Sequence, residues 1–387
     1  MPQTRNKRSY DAVVVGAGVI GLSCAWRAAQ RGLDVIVLDR AEPAAGATGV
    51  AAGMLAPVGE LSFGERQLLE MTLASAEAFP GFIAELEAES GQVTGYTRCG
   101  ALHVALDRDE AAELRRIHEL QLSLGLDAEW LTPSRCRELE PGLAPSFAAG
   151  VHAAHEAAVS PRALIASLLS ALERTGIEVR SGAAVGEAVI DNGRVGGVRT
   201  EAGEEVLADN VVLAAGCWSG AAWLPAEARP PVRPVKGQIV ELRGSADQPI
   251  CERIVASERV YLVPRPDGRL IVGATVEERG FDLTVTAGGV HELLREAYRL
   301  LPDVAELELV EATAGLRPGT ADNLPLIGRG ALDGLVLATG HYRNGVLLAP
   351  LTADGVAAVL TSGRVPALML AASPERFATV GASEVAR

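Results

Sequence analysis

Apolar residues in this chain gather in short blocks separated by polar and glycine-rich turns. Asp11–Val15 and Asp34–Leu38 lie near the start, Val211–Ala215 in the middle and Leu335–Gly340 near the end. Short continuous runs of this kind predict strands buried on both faces. Between the first two blocks a helix is predicted, opening at a glycine turn and reaching about Gln30. Residues 65–90 and 108–124 place apolar side chains at helical spacing beside charged faces, as in DRDEAAELRRIHELQLSLGL. They are predicted as amphipathic helices without chemistry, with His118 a surface or packing residue. Ser160–Thr175 predicts another helix: Ser160 caps it, Pro161 takes its first position and Gly176 ends it. From Ile177 to Gly216 the period changes to two, with Asn192-Gly193 and Ala202-Gly203 as hairpin turns. Residues 232–316 predict mostly strands plus a charged helix near 290–300, a separate antiparallel platform. After Leu335–Gly340 comes a tight turn and a helix from Val346 to about Thr361, mirroring the opening of the chain. The class is α/β (α+β overall), with a Rossmann-like domain and an antiparallel-sheet domain.

The first strand runs into Gly16-Ala17-Gly18-Val19-Ile20-Gly21, and the second ends on Asp39. Gly16 permits the tight turn, Gly18 lets a pyrophosphate approach the backbone, and Gly21 lets the helix lie against the strand. The helix N-terminus offers N–H groups and a positive dipole end to the phosphates. Asp39 is placed to accept hydrogen bonds from a ribose hydroxyl pair, and an acid there argues against a 2′-phosphate. Strand, turn, helix, strand and terminal acid in this order predict a site for an adenine dinucleotide. The stretch Pro43–Leu55 is dense in small apolar residues, which suits close backbone approach to a flat ligand rather than a flexible surface loop.

Composition narrows the partners. The 387 residues suit two domains, or one large one with an insertion. A net charge of −14, with no basic block beyond Thr4–Arg8, disfavours nucleic acid and anionic membranes. The five cysteines are scattered, without CxxC or metal-ligand spacing, and read as reduced thiols. The run Ala12–Cys24 carries the glycine fingerprint and leads into a second strand, so it reads as the nucleotide fold and not a signal-peptide core. No stretch has the ~18 uninterrupted apolar residues of a membrane span. A soluble, cytoplasmic protein is expected.

Three further stretches carry a narrower resemblance: Tyr261-Leu262-Val263-Pro264-Arg265 with Gly273-Ala274-Thr275, then Ala314–Thr320 (AGLRPGT), then Gly340-His341-Tyr342-Arg343-Asn344-Gly345. With Ala51–Leu55 and the fingerprint, they resemble the D-amino-acid-oxidase-like flavoprotein superfamily, and within it the glycine oxidases of thiamine biosynthesis. The resemblance covers nearly the whole chain. It implies noncovalent FAD in a discontinuous domain (1–85, 146–222 and 318–387) and a substrate domain (86–145 and 223–317). Val19 and Ile20 would pack by the diphosphate, and Asp39 and Arg40 would sit at the adenosine. Ala47, Thr48, Ala52, Gly53 and Met54 would line the flavin, Val185 would cover the adenine, and Gly216 would end the return strand. His341, Tyr342, Arg343, Asn344, Gly345, Val346 and Leu347 would close over the isoalloxazine. The helix beginning near Asn344 would point its positive end at the pyrimidine ring. Arg317 matches the substrate-carboxylate ligand, with Tyr261 beside it and Arg343 near the amine end. Val276 stands where some members carry Met, which bears on the size of substrate accepted. Glycine or another small amino acid and O2 are the implied partners, and a homo-oligomer, tetrameric in resembling enzymes, is the implied assembly.

The chemistry agrees with that resemblance. Oxidising an amino acid at Cα needs a flavin near the C–H bond and a clamp on the carboxylate, which a guanidinium grips with two parallel hydrogen bonds and a tyrosine hydroxyl supplements. Each residue has a plain alternative: a turn-capping role for Arg317, packing for Tyr261, a structural ion pair for Arg343. Lys236 reads as an ion-pair or surface residue, with assistance to oxygen as the alternative. The expected reaction takes glycine to its imine with peroxide release. The alternatives are a relative acting on sarcosine or a small D-amino acid, a quinone-linked dehydrogenase, or a non-catalytic flavin-bound scaffold.

Overall fold

Ser9–Val15 forms an inner strand of an eight-stranded sheet, and its alternation explains why the block is apolar throughout. Ala12 and Val14 face a layer of helices, while Val13 and Val15 face the opposite layer. The computed structural model describes residues 9–221 and 223–377; the basic tail Thr4–Arg8 lies outside the described residues. Across the sheet the order is Leu326–Arg329, Leu335–Thr339, Glu205–Leu213, Ser9–Val15, Val35–Leu38, Glu178–Arg180. All neighbours on this path are parallel except the outermost pair, Leu326–Arg329 with Leu335–Thr339. Helices Val19–Gln30, Arg66–Ser90, Pro161–Thr175 and Ala349–Ser362 cover one face. The hairpin Val185–Asp191 and Arg194–Thr200 folds over the other, burying Val195 and Val198. Asn192 and Gly193 both take positive φ at its turn, as the tight hairpin connection requires.

The second eight-stranded sheet runs Glu308–Gly319, Arg233–Arg243, Arg269–Gly273, Tyr261–Pro264, Ile254–Ala256, Ala101–Ala105, Ala149–Ala153, Glu129–Leu131. It is antiparallel, as expected, apart from one parallel pair, Ile254–Ala256 with Ala101–Ala105. Helix Ala287–Leu300 packs Leu293, Ala297 and Leu300 on Val240, Leu262 and Val272. The other face presents Ile239, Ile254, Val263 and Ile271 to Ala52 and Met54 of the small-residue stretch. That stretch folds as a short helix, Ala47–Val50, and a short strand, Met54–Leu55.

Two elements cross the expected boundaries. Ala149–Ala153, which lies beyond the boundary expected at 146, pairs with Ala101–Ala105. Helix Arg66–Ser90 runs through the boundary expected at 86, and Leu86 joins Phe79 and Phe82 in the core beneath the parallel sheet. In both cases the apolar stripe continues, and burial keeps the element with its own core. The last helix starts at Ala349, three residues later than expected, with Pro350 in its first turn. A preceding helical turn is closed by Leu348 N–H donating to the Asn344 carbonyl.

Candidate active site

The carboxyl ends of the parallel strands and the inner face of the platform enclose a cavity of about 940 Å³. That is at the upper end of ligand cavities, roughly 300–1,000 Å³. At one end lies the glycine turn. Gly16 has φ 114°, and a Cβ there would strike the Ala214 carbonyl. A Cβ on Gly21 would fall on the Gly16 carbonyl, so this residue serves helix–strand packing and does not line the cavity. Gly18 does line it, and a Cβ there would press on Thr48 Oγ1, which accepts the Val19 N–H at 3.1 Å. Asp39 Oδ2 accepts the Ala17 N–H at 2.6 Å and Oδ1 the Ala41 N–H at 2.9 Å, locking the turn to the second strand.

Most of the predicted cofactor residues line the same space: Gly16, Gly18, Val19, Ile20, Asp39, Arg40, Ala47, Thr48, Ala52, Gly53, Met54, Val185 and Gly216. His341, Tyr342, Arg343, Gly345 and Val346 close it from the C-terminal turn. Asn344 and Leu347 do not line it; both are buried, and Leu347 packs into the helical core behind the turn. Arg40 lies 3.8 Å over the Trp218 ring, an aromatic wall the strand-end motif Gly216–Ser219 did not reveal. Arg265, from the quoted motif, is buried and donates to the Ala52 carbonyl, holding the small-residue stretch in place. Burial, with Arg269 nearby, pushes its pKa down to about 10. His341 Nε2 lies 3.0 Å from Thr352 Oγ1, and burial pushes its pKa down to about 3, so the imidazole is neutral.

At the platform end, Arg317 and Tyr261 meet on the cavity wall. Arg317 Nη1 donates to the Thr275 carbonyl at 3.1 Å and to the Lys236 carbonyl at 3.4 Å. One edge of the guanidinium is thereby held by backbone. Its plane lies on Gly237, where any Cβ would collide with it. Tyr261 lies in the same way on Gly273, its cross-strand partner, with its hydroxyl beside Arg317. Burial raises the Tyr261 pKa while Arg317 opposes the rise, so the phenol is neutral and able to donate. Gly237 and Gly273 were both in view in the sequence, but their use as seats depends on strand register.

Arg343 lines the cavity and also makes structural contacts. Its Nη2 donates to the Glu60 carbonyl at 3.1 Å and to Ser62 Oγ at 3.2 Å, with Glu65 at 3.7 Å. It ties the C-terminal turn to the segment 56–65. Lys236 is 1% exposed, does not line the cavity, and pairs with Asp282 at 2.7 Å. Val276 is 67% exposed at the cavity rim. Sequence reasoning missed Glu60 and His103, which also line the cavity; nothing in their spacing marks them, since they come from distant segments. Among the described residues no cluster of His, Cys, Asp or Glu could hold a metal ion.

A glycine turn of dinucleotide-binding type and the Arg317–Tyr261 pair thus lie on one cavity. The chain belongs to the DAO family of FAD-dependent oxidoreductases, whose model matches residues 11–359. It is 36% identical over 374 residues to the bifunctional protein ThiO/ThiG of Synechocystis, covering 95% of this chain and 54% of that protein. The chain thus spans about half the length of the curated relatives of this kind that it matches. It is 34% identical to the glycine oxidase of Geobacillus kaustophilus, covering 89% of this chain and 90% of that one. The crystal structure of glycine oxidase from Geobacillus kaustophilus superposes with a TM-score of 0.89 at 32% identity, covering 96% of this chain and 99% of that one.

FAD fits the residues present. The Gly16–Gly18 backbone leaves the approach that a diphosphate needs, and the cavity continues from there past small side chains to the clamp. Asp39, Arg40 and Val185 would hold the adenosine end, and Ala52–Met54 with the His341–Val346 turn the isoalloxazine.

Proposed function

We propose that the protein oxidises glycine: the amine gives up two electrons and two protons to become the imine, and O2 takes them up as H2O2. Hydrolysis of the imine yields glyoxylate and ammonia. Used before hydrolysis, the imine would supply thiazole formation in thiamine biosynthesis, a reading that the likeness to the ThiO/ThiG proteins supports. The observation that carries the proposal is the placing of Arg317 and Tyr261 on the same cavity as the dinucleotide turn. Bound FAD supplies the two-electron acceptor for the Cα–H bond.

The chain's own residues bind and orient. Arg317, braced on two carbonyls, turns its free edge to the substrate carboxylate, and Tyr261 adds a neutral donor. Glycine offers no side chain to grip, so its two charged ends must fix the pose. Arg343, tied to Glu60 and Ser62, holds that segment beside the site. We also propose a division into a FAD unit, from the parallel sheet and its helices, and a substrate unit, from the platform. A homo-oligomer in the cytoplasm belongs to the same reading; five free cysteines among the described residues suit a reducing compartment. No single helix among those residues is long and apolar enough to cross a membrane.

Purified protein assayed for peroxide release against glycine, sarcosine and small D-amino acids tests the proposal. Glycine should be turned over with peroxide and glyoxylate in equal amounts. No peroxide from glycine in air, with turnover restored by an artificial quinone, would reassign the protein as a dehydrogenase.

A further inference from the structure

Glu60 is the one polar side chain of the strap 58–60 left for a ligand. The strap is tied down residue by residue. Gln121 Nε2 donates to the Val58 carbonyl at 2.9 Å. Gly59 N–H donates to Glu156, and Arg343 Nη2 to the Glu60 carbonyl at 3.1 Å. Gly59 lies so close to His103 that a Cβ could not be added without moving the imidazole. These ties fix the backbone, and with it the place from which the Glu60 side chain enters the cavity. Its carboxyl has no hydrogen-bond partner among the described residues. Arg343, Arg317 and His103 lie within electrostatic reach of it, as do Glu156 and the Tyr261 hydroxyl.

The Glu60 carboxyl is half-buried on the cavity wall; burial raises its pKa, while Arg343, His103 and Arg317 oppose the rise, and a cationic ligand group would favour the ionised form further. Beside a clamp that takes the substrate carboxylate, the complementary ligand group is an ammonium. A second anionic group in that place would meet like charge.

We propose that Glu60 is a specificity-determining residue: its carboxylate attracts the amine end of a small amino acid and rejects substrates that carry a second carboxylate there. This rests on the reading of Arg317 as the carboxylate ligand and deepens it, because the clamp alone would accept any amino acid that fits.

The test compares holoenzyme with Glu60→Gln, which keeps the volume and removes the charge. Peroxide release is measured with glycine, sarcosine and iminodiacetate, the last being glycine bearing a second carboxylate on nitrogen. Glu60→Gln should lower kcat/KM for glycine several-fold. It should raise the iminodiacetate-to-glycine ratio by about tenfold or more, as expected when a like charge is removed. The sarcosine-to-glycine ratio should hold within about twofold, since that pair differs in size and not in charge. Titrating malonate against the flavin absorbance of both proteins gives a readout independent of turnover, and it should bind Glu60→Gln more tightly. An unchanged iminodiacetate ratio and malonate affinity, in an enzyme that still oxidises glycine, would overturn the proposal and leave the function standing. Sarcosine and iminodiacetate rising together would also overturn it, by making the effect one of space. A wild-type protein inert toward glycine would instead remove the functional reading itself.

Discussion

Replacing Arg317 by Leu removes the group on which substrate orientation depends. Its Nη1 is held by the Thr275 and Lys236 carbonyls, and the plane rests on Gly237, so the side chain is placed before substrate arrives. Little entropy is lost on binding, and the full interaction is available to the transition state. A charge-assisted hydrogen bond contributes roughly 1.5–3 kcal/mol, and truncating one partner of a buried charged pair costs about 2–5 kcal/mol. At about 1.4 kcal/mol per factor of ten, Arg317→Leu should lower kcat/KM for glycine by roughly 30- to 4,000-fold. Arg317→Lys keeps the charge but loses the planar fork, and should fall between. Tyr261→Phe removes a neutral donor and should cost about tenfold or less. FAD content should not change in any of the three, since these side chains meet the platform end of the cavity. Steady-state peroxide assays with a flavin spectrum on each variant check the ordering. Near-normal kcat/KM in Arg317→Leu would reduce Arg317 to a residue that braces two carbonyls, and the substrate assignment would fall with it.

Gly18→Val should give protein with little or no FAD, because the added side chain presses on Thr48 and fills the diphosphate approach; flavin released by denaturation, measured per chain, reports it. His341 contributes to the pH dependence of stability. Its folded pKa is pushed down to about 3, so below the ordinary value near 6.5 the unfolded chain binds a proton that the folded one refuses. Its stabilisation is therefore present above pH 6.5 and lost as the pH falls, about 2 kcal/mol between pH 7 and pH 5. Urea unfolding at both values should show His341→Gln losing less stability on acidification by that amount. Arg343→Met should release segment 60–65 and raise KM for glycine more than it lowers kcat. Its loss in kcat/KM should be smaller than that of Arg317→Leu, and equal losses would return Arg343 to the substrate.

What the sequence determined by itself is whatever depends on neighbours along the chain. The fingerprint from Tyr10 to Asp39 specified strand, turn, helix and strand because each glycine answers a local demand, the positive φ at Gly16 above all. The capped helix Pro161–Thr175, with Ser160 before it and Gly176 in the left-handed region after it, was legible for the same reason. Long-range pairing was decided only in three dimensions. Nothing local says that Ala149–Ala153 should leave the parallel unit for the platform, since an apolar run fits either sheet and its partner Ala101–Ala105 lies far back along the chain. That Asn344 and Leu347 are buried away from the cavity, with Leu347 in the helical core, was likewise settled only by packing. Arg343 read equally as ligand or ion pair because its partners at 60–65 come from the other end of the chain. Glu60 and His103 had no motif to announce them. An acid six residues beyond Met54 and a histidine on a platform strand come to share one cavity only because folding packs the platform against the small-residue stretch.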